Sequence, residues 1–295
     1  MLAGSMVALV TPMDADGAVS YADLGRLIDF HLQSGTQALI IAGTTGESAT
    51  LDHNEHIELI ETACELAGGR MPIVAGTGSN STAQTLALSK AVDRLPVVAF
   101  LVVTPYYNKP TQEGMYRHFC MIADAVRQPL ILYNVPGRTG VDLHSSTVIR
   151  LSEHGNIASL KDATAELDRV ATLRNGCGPE FSLLSGDDAT SCEFMLRGGN
   201  GVISVTANVA PATMRALCDT ARTGKRAAAE RIDDKLRLLH DTLFVESNPI
   251  PVKWAVRRMG LAGSGIRLPL TPLAAEHSDA VLAAMAAAEI ELAAA

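Results

Sequence analysis

Short runs of consecutive apolar residues alternate along this chain with longer stretches in which apolar positions recur every third or fourth residue. The runs are Met6–Val10, Ala38–Ile41, Ile73–Ala75, Val98–Val103, Leu130–Leu132, Ile157–Leu160, Phe181–Leu184 and Val202–Val205. Unbroken apolarity over so few residues marks a strand buried on both faces. The stretches between, such as Tyr21 to Gln33 and His53 to Leu66, carry the helical period. The runs recur about every 20 to 35 residues, the spacing of strand–helix units. Eight such units in succession predict a (β/α)8 TIM barrel spanning residues 1–209. An open doubly wound sheet is the other arrangement of this pattern. It usually carries a phosphate-binding loop after its first strand, and Thr11-Pro12-Met13-Asp14 stands there instead, with no G-x-G-x-x-G or Walker pattern. Residues 210–295 are rich in alanine, leucine, arginine and glutamate, and Pro249, Pro251, Pro269 and Pro272 divide them. They are expected to form a C-terminal helical extension that does not fold independently.

Composition narrows the function classes. The chain has 295 residues, 47% of them hydrophobic, with a net charge of −8. It has no basic cluster of the kind that tracks a phosphate backbone, so nucleic acid is not an expected partner. Apolar runs such as Val97 to Val103 are too short to span a bilayer. The apolar N-terminus has no basic lead-in and reads as a first strand. The five cysteines, Cys64, Cys120, Cys177, Cys192 and Cys218, are scattered, odd in number and without C-x-x-C spacing. Reduced thiols in the cytoplasm are therefore expected, and no zinc site.

Lys161 alters this picture. It is one of six lysines, and it alone closes a run that reads as a buried strand, Ile157-Ala158-Ser159-Leu160-Lys161. Apolar surroundings disfavour an ammonium relative to the neutral amine, and a neutral amine attacks carbonyls, so Schiff-base chemistry is the candidate reaction. The alternative is a strand-end lysine that snorkels to solvent or pairs with Asp162.

In a barrel of this class the chemistry sits where strands end. Those junctions read Thr11, Gly43-Thr44-Thr45-Gly46-Glu47, Gly76-Thr77-Gly78, Thr104-Pro105-Tyr106-Tyr107-Asn108, Tyr133-Asn134, Lys161-Asp162, Ser185-Gly186-Asp187-Asp188 and Ser204. Some of these hydroxyls are expected to cap the following helices. Capping does not account for a lysine and three tyrosines on one rim. Imine formation needs a group that moves protons while the carbinolamine loses water, and Tyr133 or Tyr107, with Thr44 between them, has that chemistry. The glycines around Thr44-Thr45 let backbone amides approach a small anion. Arg138, in Pro136-Gly137-Arg138-Thr139-Gly140, either grips a second carboxylate in a fork or is an ordinary solvated loop arginine.

Taken in order, these segments resemble the dihydrodipicolinate synthase family, within the superfamily of pyruvate-dependent class I aldolases and N-acetylneuraminate lyases. The stretches that carry the resemblance include Gly43-Thr44-Thr45-Gly46-Glu47-Ser48, Thr104-Pro105-Tyr106-Tyr107-Asn108, Tyr133 to Gly140, Leu184 to Asp188, Gly201 to Val205 and Asn248 to Lys253. The resemblance implies a lyase without a cofactor, which condenses pyruvate with aspartate semialdehyde in lysine biosynthesis. It implies an imine at Lys161, proton transfer by Tyr133, and a relay through Thr44 and Tyr107, with Tyr107 reaching a neighbouring subunit's site. It further implies Thr45 on the pyruvate carboxylate, Ile203 and Gly186 against bound pyruvate, Arg138 on the semialdehyde carboxylate, and a homotetramer built as a dimer of dimers. Arg138 and the Thr44-Thr45 pair favour this branch over sugar-acid lyases. A silent pyruvate-binding relative would be expected to have lost the relay residues. Pyridoxal phosphate also forms imines with lysine, and a yellow chromophore would betray it.

Relatives under feedback bind lysine at positions that match Ser48, Ala49, His53, His56, Asn80, Tyr106 and, where the family carries glutamate, Gln84. A metal on His53 and His56 is discounted because no third ligand is evident. Glutamine keeps an acceptor but loses the charge, so feedback is expected to be about tenfold weaker or absent. Leu160 and Asp162 also depart from the isoleucine and glutamate commoner around the lysine, both conservatively.

Overall fold

In the computed structural model, which describes residues 2–293, eight parallel strands close into a barrel in sequence order. They are β1 Gly4–Ala8, β2 Ala38–Ile41, β3 Ile73–Gly76, β4 Ala99–Val103, β5 Leu130–Asn134, β6 Ile157–Asp162, β7 Ser182–Ser185 and β8 Gly201–Ser204. The helices on the outside are α1 Tyr21–Gln33, α2 His53–Ala67, α3 Thr82–Val92, α4 Gln112–Ala123, the single turn α5 Pro136–Thr139, α6 Ser145–Ser152, α7 Arg169–Cys177 and α8 Ser191–Leu196. After β8 come α9 Pro211–Ala221, α10 Arg226–Thr242, α11 Ile250–Arg258 and α12 Ser278–Ala287, with α10 packed on α9 and α12.

The apolar runs become strands because each face of the pleat has its own core. Met6, Ala8, Ile40, Val74, Leu101, Ile131, Leu184 and Ile203 fill the barrel. Val7, Leu39, Ile41, Ile73, Phe100, Leu132 and Leu160 face outward against the helices. Alternation with period two sends neighbours to opposite sides, and both sides are apolar, so the sequence shows no alternation. Strand β1 lies two residues earlier than the run Met6–Val10 suggests. Gly4 pairs with Gly201 so closely that a Cβ on Gly201 would lie 2.3 Å from the Gly4 carbonyl oxygen. That contact closes the barrel, while Val10 turns its amide to the Asn208 side chain at 3.0 Å.

Helix starts follow local chemistry. Ser20, Asp52, Ser81 and Thr111 are N-caps whose side chains accept backbone amides of the first turn. Of the hydroxyls at the strand ends, Ser204 caps the short helical turn that follows it, whereas Thr11 and Ser185 bond elsewhere. Thr11 donates to the Gly46 carbonyl at 2.7 Å, Ser185 to the Asp187 carbonyl at 2.8 Å, and Ser204 accepts the Ala207 amide at 2.8 Å. Thr11 ties its own turn to the turn after β2, while Ser185 and Ser204 bond within their own loops.

Two histidines are buried away from the barrel mouth. His31 and His118 each place Nδ1 at 2.9 Å from a threonine hydroxyl, Thr36 and Thr82 respectively. Burial pushes His31 down to about 3 and His118 down to about 4. An unfolded histidine takes up its proton near pH 6.5, so between about pH 6.5 and 4 the unfolded chain binds more protons and stability falls as pH drops. Thermal melts from pH 7 to 4.5 are expected to show a falling midpoint in the wild type and a shallower fall in His31→Gln. Equal slopes in the two proteins would assign the acid sensitivity to other groups.

Candidate active site

Lys161 sits inside the barrel one residue before β6 ends, and only 5% of it is exposed. Its register partner across the sheet is Tyr133 on β5, and the Lys161 Nζ lies 4.1 Å from the centre of the Tyr133 ring. The lysine neither snorkels nor pairs with Asp162, which lies on the opposite face of the pleat beside Arg169. Gly186 packs against the lysine stem. A Cβ there would meet Lys161 Cε at 3.0 Å and Ala163 Cβ at 2.8 Å, so its place is one of clearance for Lys161. Ile203 lies in the same interior cluster as Tyr133 and Leu184.

Strand β2 runs into the turn Gly43 to Ser48. The amides of Gly46, Glu47 and Ser48 bond to the carbonyls of Gly43 and Thr44 and close the turn, so an anion would meet its Thr44-Thr45 part. Thr45 is buried, and its hydroxyl oxygen accepts the Asn248 Nδ2 at 3.0 Å, which leaves the hydroxyl proton to be donated elsewhere. The Asn248 carbonyl accepts from Arg138 Nη2 at 3.2 Å. Arg138 is otherwise exposed. Glu47 ends the turn in a left-handed conformation, φ 56°. Its carboxylate is buried against the Lys253 ammonium and accepts the Arg267 amide at 3.0 Å. Burial holds the Lys253 amine below its ordinary value, with Glu47 pulling the other way.

A cavity of about 670 Å³ opens beside this turn. Thr44, Arg138 and Asn248 line it together with Ser48, Ala49, His53, His56, Gln84 and Tyr106. Thr44 and Arg138 therefore share this space with most of the effector candidates, whereas Lys161, Tyr133 and Thr45 are not on its wall. His56 donates from Nε2 to the Gly76 carbonyl at 2.7 Å, and burial pushes its imidazole down. Gln84 accepts the Ser79 hydroxyl at 2.9 Å. Asn80 presents its carbonyl to Asn108 at 2.9 Å and stands at the edge of the group. Tyr107 is apart from all of them. It is 89% exposed, with φ 72°, so a relay from Tyr133 through Thr44 to this chain's own Tyr107 is not formed. A second cavity of about 360 Å³ lies at the strand starts, between Leu2, Pro72, Pro129 and Ser182. Chemistry in this architecture belongs to the other end.

The model of the Dihydrodipicolinate synthetase family matches residues 1–288. The chain belongs to that family. It is 57% identical over 292 residues to the 4-hydroxy-tetrahydrodipicolinate synthase of Thioalkalivibrio sulfidiphilus, covering 99% of each chain. Among solved structures, the chloride-inhibited dihydrodipicolinate synthase of Acinetobacter baumannii, complexed with pyruvate, superposes with a TM-score of 0.97 at 48% identity. It covers 99% of this chain and 100% of that one. A monomeric dihydrodipicolinate synthase variant superposes with a TM-score of 0.95 at 37% identity, covering 98% of each chain.

Two groups in the stretch Asn248 to Lys253, which carries part of the resemblance, have contacts that the sequence alone does not assign. Lys253 is a second buried lysine, 7% exposed, and follows an ordinary helical pattern on α11. Asn248 stands in a proline-rich segment, 203 residues from the threonine it touches. A charged pair with one partner removed leaves a buried charge uncompensated, a cost of about 3–5 kcal/mol. Lys253→Met is expected to lose about that much stability in urea unfolding, and Lys253→Met with Glu47→Gln to recover most of it. No recovery in the double variant would show that the lysine stem, and not the charge pair, matters there.

Proposed function

We propose that this chain condenses pyruvate with L-aspartate 4-semialdehyde to give 4-hydroxy-tetrahydrodipicolinate through an imine at Lys161. The observation that carries the reading is the buried Lys161 amine lying 4.1 Å from the Tyr133 ring inside the barrel. The amine adds to the pyruvate ketone, and the carbinolamine loses water as Tyr133 shuttles the proton. Loss of a methyl proton gives the enamine, whose carbon attacks the semialdehyde carbonyl. The substrate's own amine then displaces Lys161, closing the ring and freeing the enzyme, with one water released overall.

The Thr45 hydroxyl, its oxygen occupied by Asn248, suits the pyruvate carboxylate. The Arg138 guanidinium, held at one nitrogen by the Asn248 carbonyl, suits the semialdehyde carboxylate. An almost fully exposed Tyr107 supports pairing with a second copy, whose site it would complete and whose Thr44 would link it to Tyr133. The homotetramer remains our extension of that pairing. The relative with a monomeric variant sets a limit on assembly as a family trait. The cavity beside Thr44 suits lysine as effector, with Gln84 in the place of a carboxylate. The five free cysteines suit a reducing compartment, the cytoplasm. Among the described residues, no helix is long and apolar enough to cross a membrane.

Borohydride reduction with pyruvate is expected to add a single pyruvyl group per chain to the wild type and none to Lys161→Ala, read by intact mass. Turnover with the semialdehyde separates the synthase from a sugar-acid aldolase, and an unmodified wild type would overturn the imine. Sedimentation at assay concentration is expected to give no active monomer. Lysine is expected to inhibit Gln84→Glu at roughly tenfold lower concentration than wild type, the difference between a neutral and a charge-assisted contact. Equal inhibition of both would remove Gln84 from the effector site.

A further inference from the structure

The pairing of β5 with β6 contains an irregularity. Leu130 pairs with Ile157, yet the next pair is Ile131 with Ser159, so Ala158 is left over as an exposed extra residue. From there the register runs unbroken through Tyr133 with Lys161 and Asn134 with Asp162. A slip of one residue in such a pairing turns every side chain to the other face. Without the extra residue, Leu160 and not Lys161 would stand opposite Tyr133. The start of the two strands therefore does not fix the catalytic pair, and their far end must.

That far end carries a buried polar cluster on the outer face, directly behind the two catalytic groups. Asn134 donates from Nδ2 to Asp142 at 2.7 Å and to Asp162 at 3.3 Å, and its Oδ1 accepts the Leu143 amide at 3.0 Å. Arg169, the first residue of α7, grips both Asp142 oxygens from Nη1 at 3.1 and 3.0 Å and donates from Nη2 to the Leu143 carbonyl at 2.7 Å. Its Nε approaches Asp162 Oδ2 at 3.2 Å as an ion pair, out of line for a hydrogen bond. Asp162 is 5% exposed. Burial pushes its carboxyl upward, and the Arg169 charge and the Asn134 amide oppose that shift. One guanidinium thus spans the end of β6 and the segment that follows β5.

We propose that Arg169, with Asp142, Asp162 and Asn134, is the clasp that holds β5 and β6 in the register that puts Lys161 beside Tyr133. Arg169 is on this view a positioning residue for the condensation, acting through the lysine–tyrosine alignment without touching substrate. The proposal rests on the reading of Lys161 as the imine lysine and Tyr133 as its proton-transfer partner. Small misplacements of reacting groups carry large rate penalties.

The test is a double-mutant cycle read by the rate at which pyruvate becomes trappable by borohydride, with steady-state kcat and KM alongside. Arg169→Met is expected to slow trapping and kcat about tenfold while the KM for pyruvate changes less than about twofold. In a Tyr133→Phe background the same substitution is expected to cost less than about twofold, because the alignment it protects no longer serves proton transfer. Arg169→Lys, which keeps the charge but not the fork, is expected to recover part of the loss. Equal losses in both backgrounds would overturn the proposal and leave Arg169 a general contributor to stability. If Arg169→Met does not fold, Asp142→Asn in the same two backgrounds decides the matter, because it loosens the fork at a residue nearer the surface. Failure to trap pyruvate in the wild type would strike the imine reading itself, an outcome separate from either result of the cycle.

Discussion

The closed parallel sheet obliges every second residue of each strand to point into its interior, and the chemistry of this chain depends on that constraint. Met6, Ile40, Val74, Leu101 and Ile131 meet it with hydrocarbon. Lys161 meets it with an amine beside an aromatic ring. The outward neighbours Leu160 and Asp162 show how narrow the arrangement is, since one belongs to the apolar layer under the helices and the other to a polar clasp. The placement of Lys161 is thus a product of pleat and register as much as of its own side chain.

The helices after β8 are more than cover. Lys253 from α11 reaches Glu47 at the end of the β2 turn, Asn248 reaches Thr45, and Arg267 binds Glu55 on α2 at 2.6 Å while its own amide bonds to Glu47. A buried ion pair adds little net stability, because desolvating two charges offsets most of their attraction. What it does add is direction. Glu47 and Thr45 stand in the same turn, so the C-terminal layer fixes the turn that presents Thr44 and Thr45 to the barrel mouth.

Much of the architecture was legible in the order of apolar runs. All eight runs coincide with strands to within a residue or two, and Tyr21–Gln33 is helix α1 as read. Membership of the family was legible too, because Gly43 to Ser48, Tyr133 to Gly140 and Lys161 are local motifs in a fixed order. The rim hydroxyls were read less well. Thr11 binds a neighbouring turn, Ser185 bonds within its own loop and Ser204 caps only the short turn after it, whereas Ser20, Asp52, Ser81 and Thr111, further along the loops, cap α1 to α4.

The sequence by itself determined the strands, the helices and the singular position of Lys161, because period, capping and strand-end chemistry act over a few residues and leave their mark there. The tertiary structure alone decided which groups meet. Glu47 and Lys253 are 206 residues apart, and Arg169 and Asp142 are 27 apart on separate elements. Tyr107 is outside its own chain's site because the loop after β4 carries it to the surface. No local pattern encodes these encounters, because they arise only when the barrel closes and burial forces each charge to find a partner.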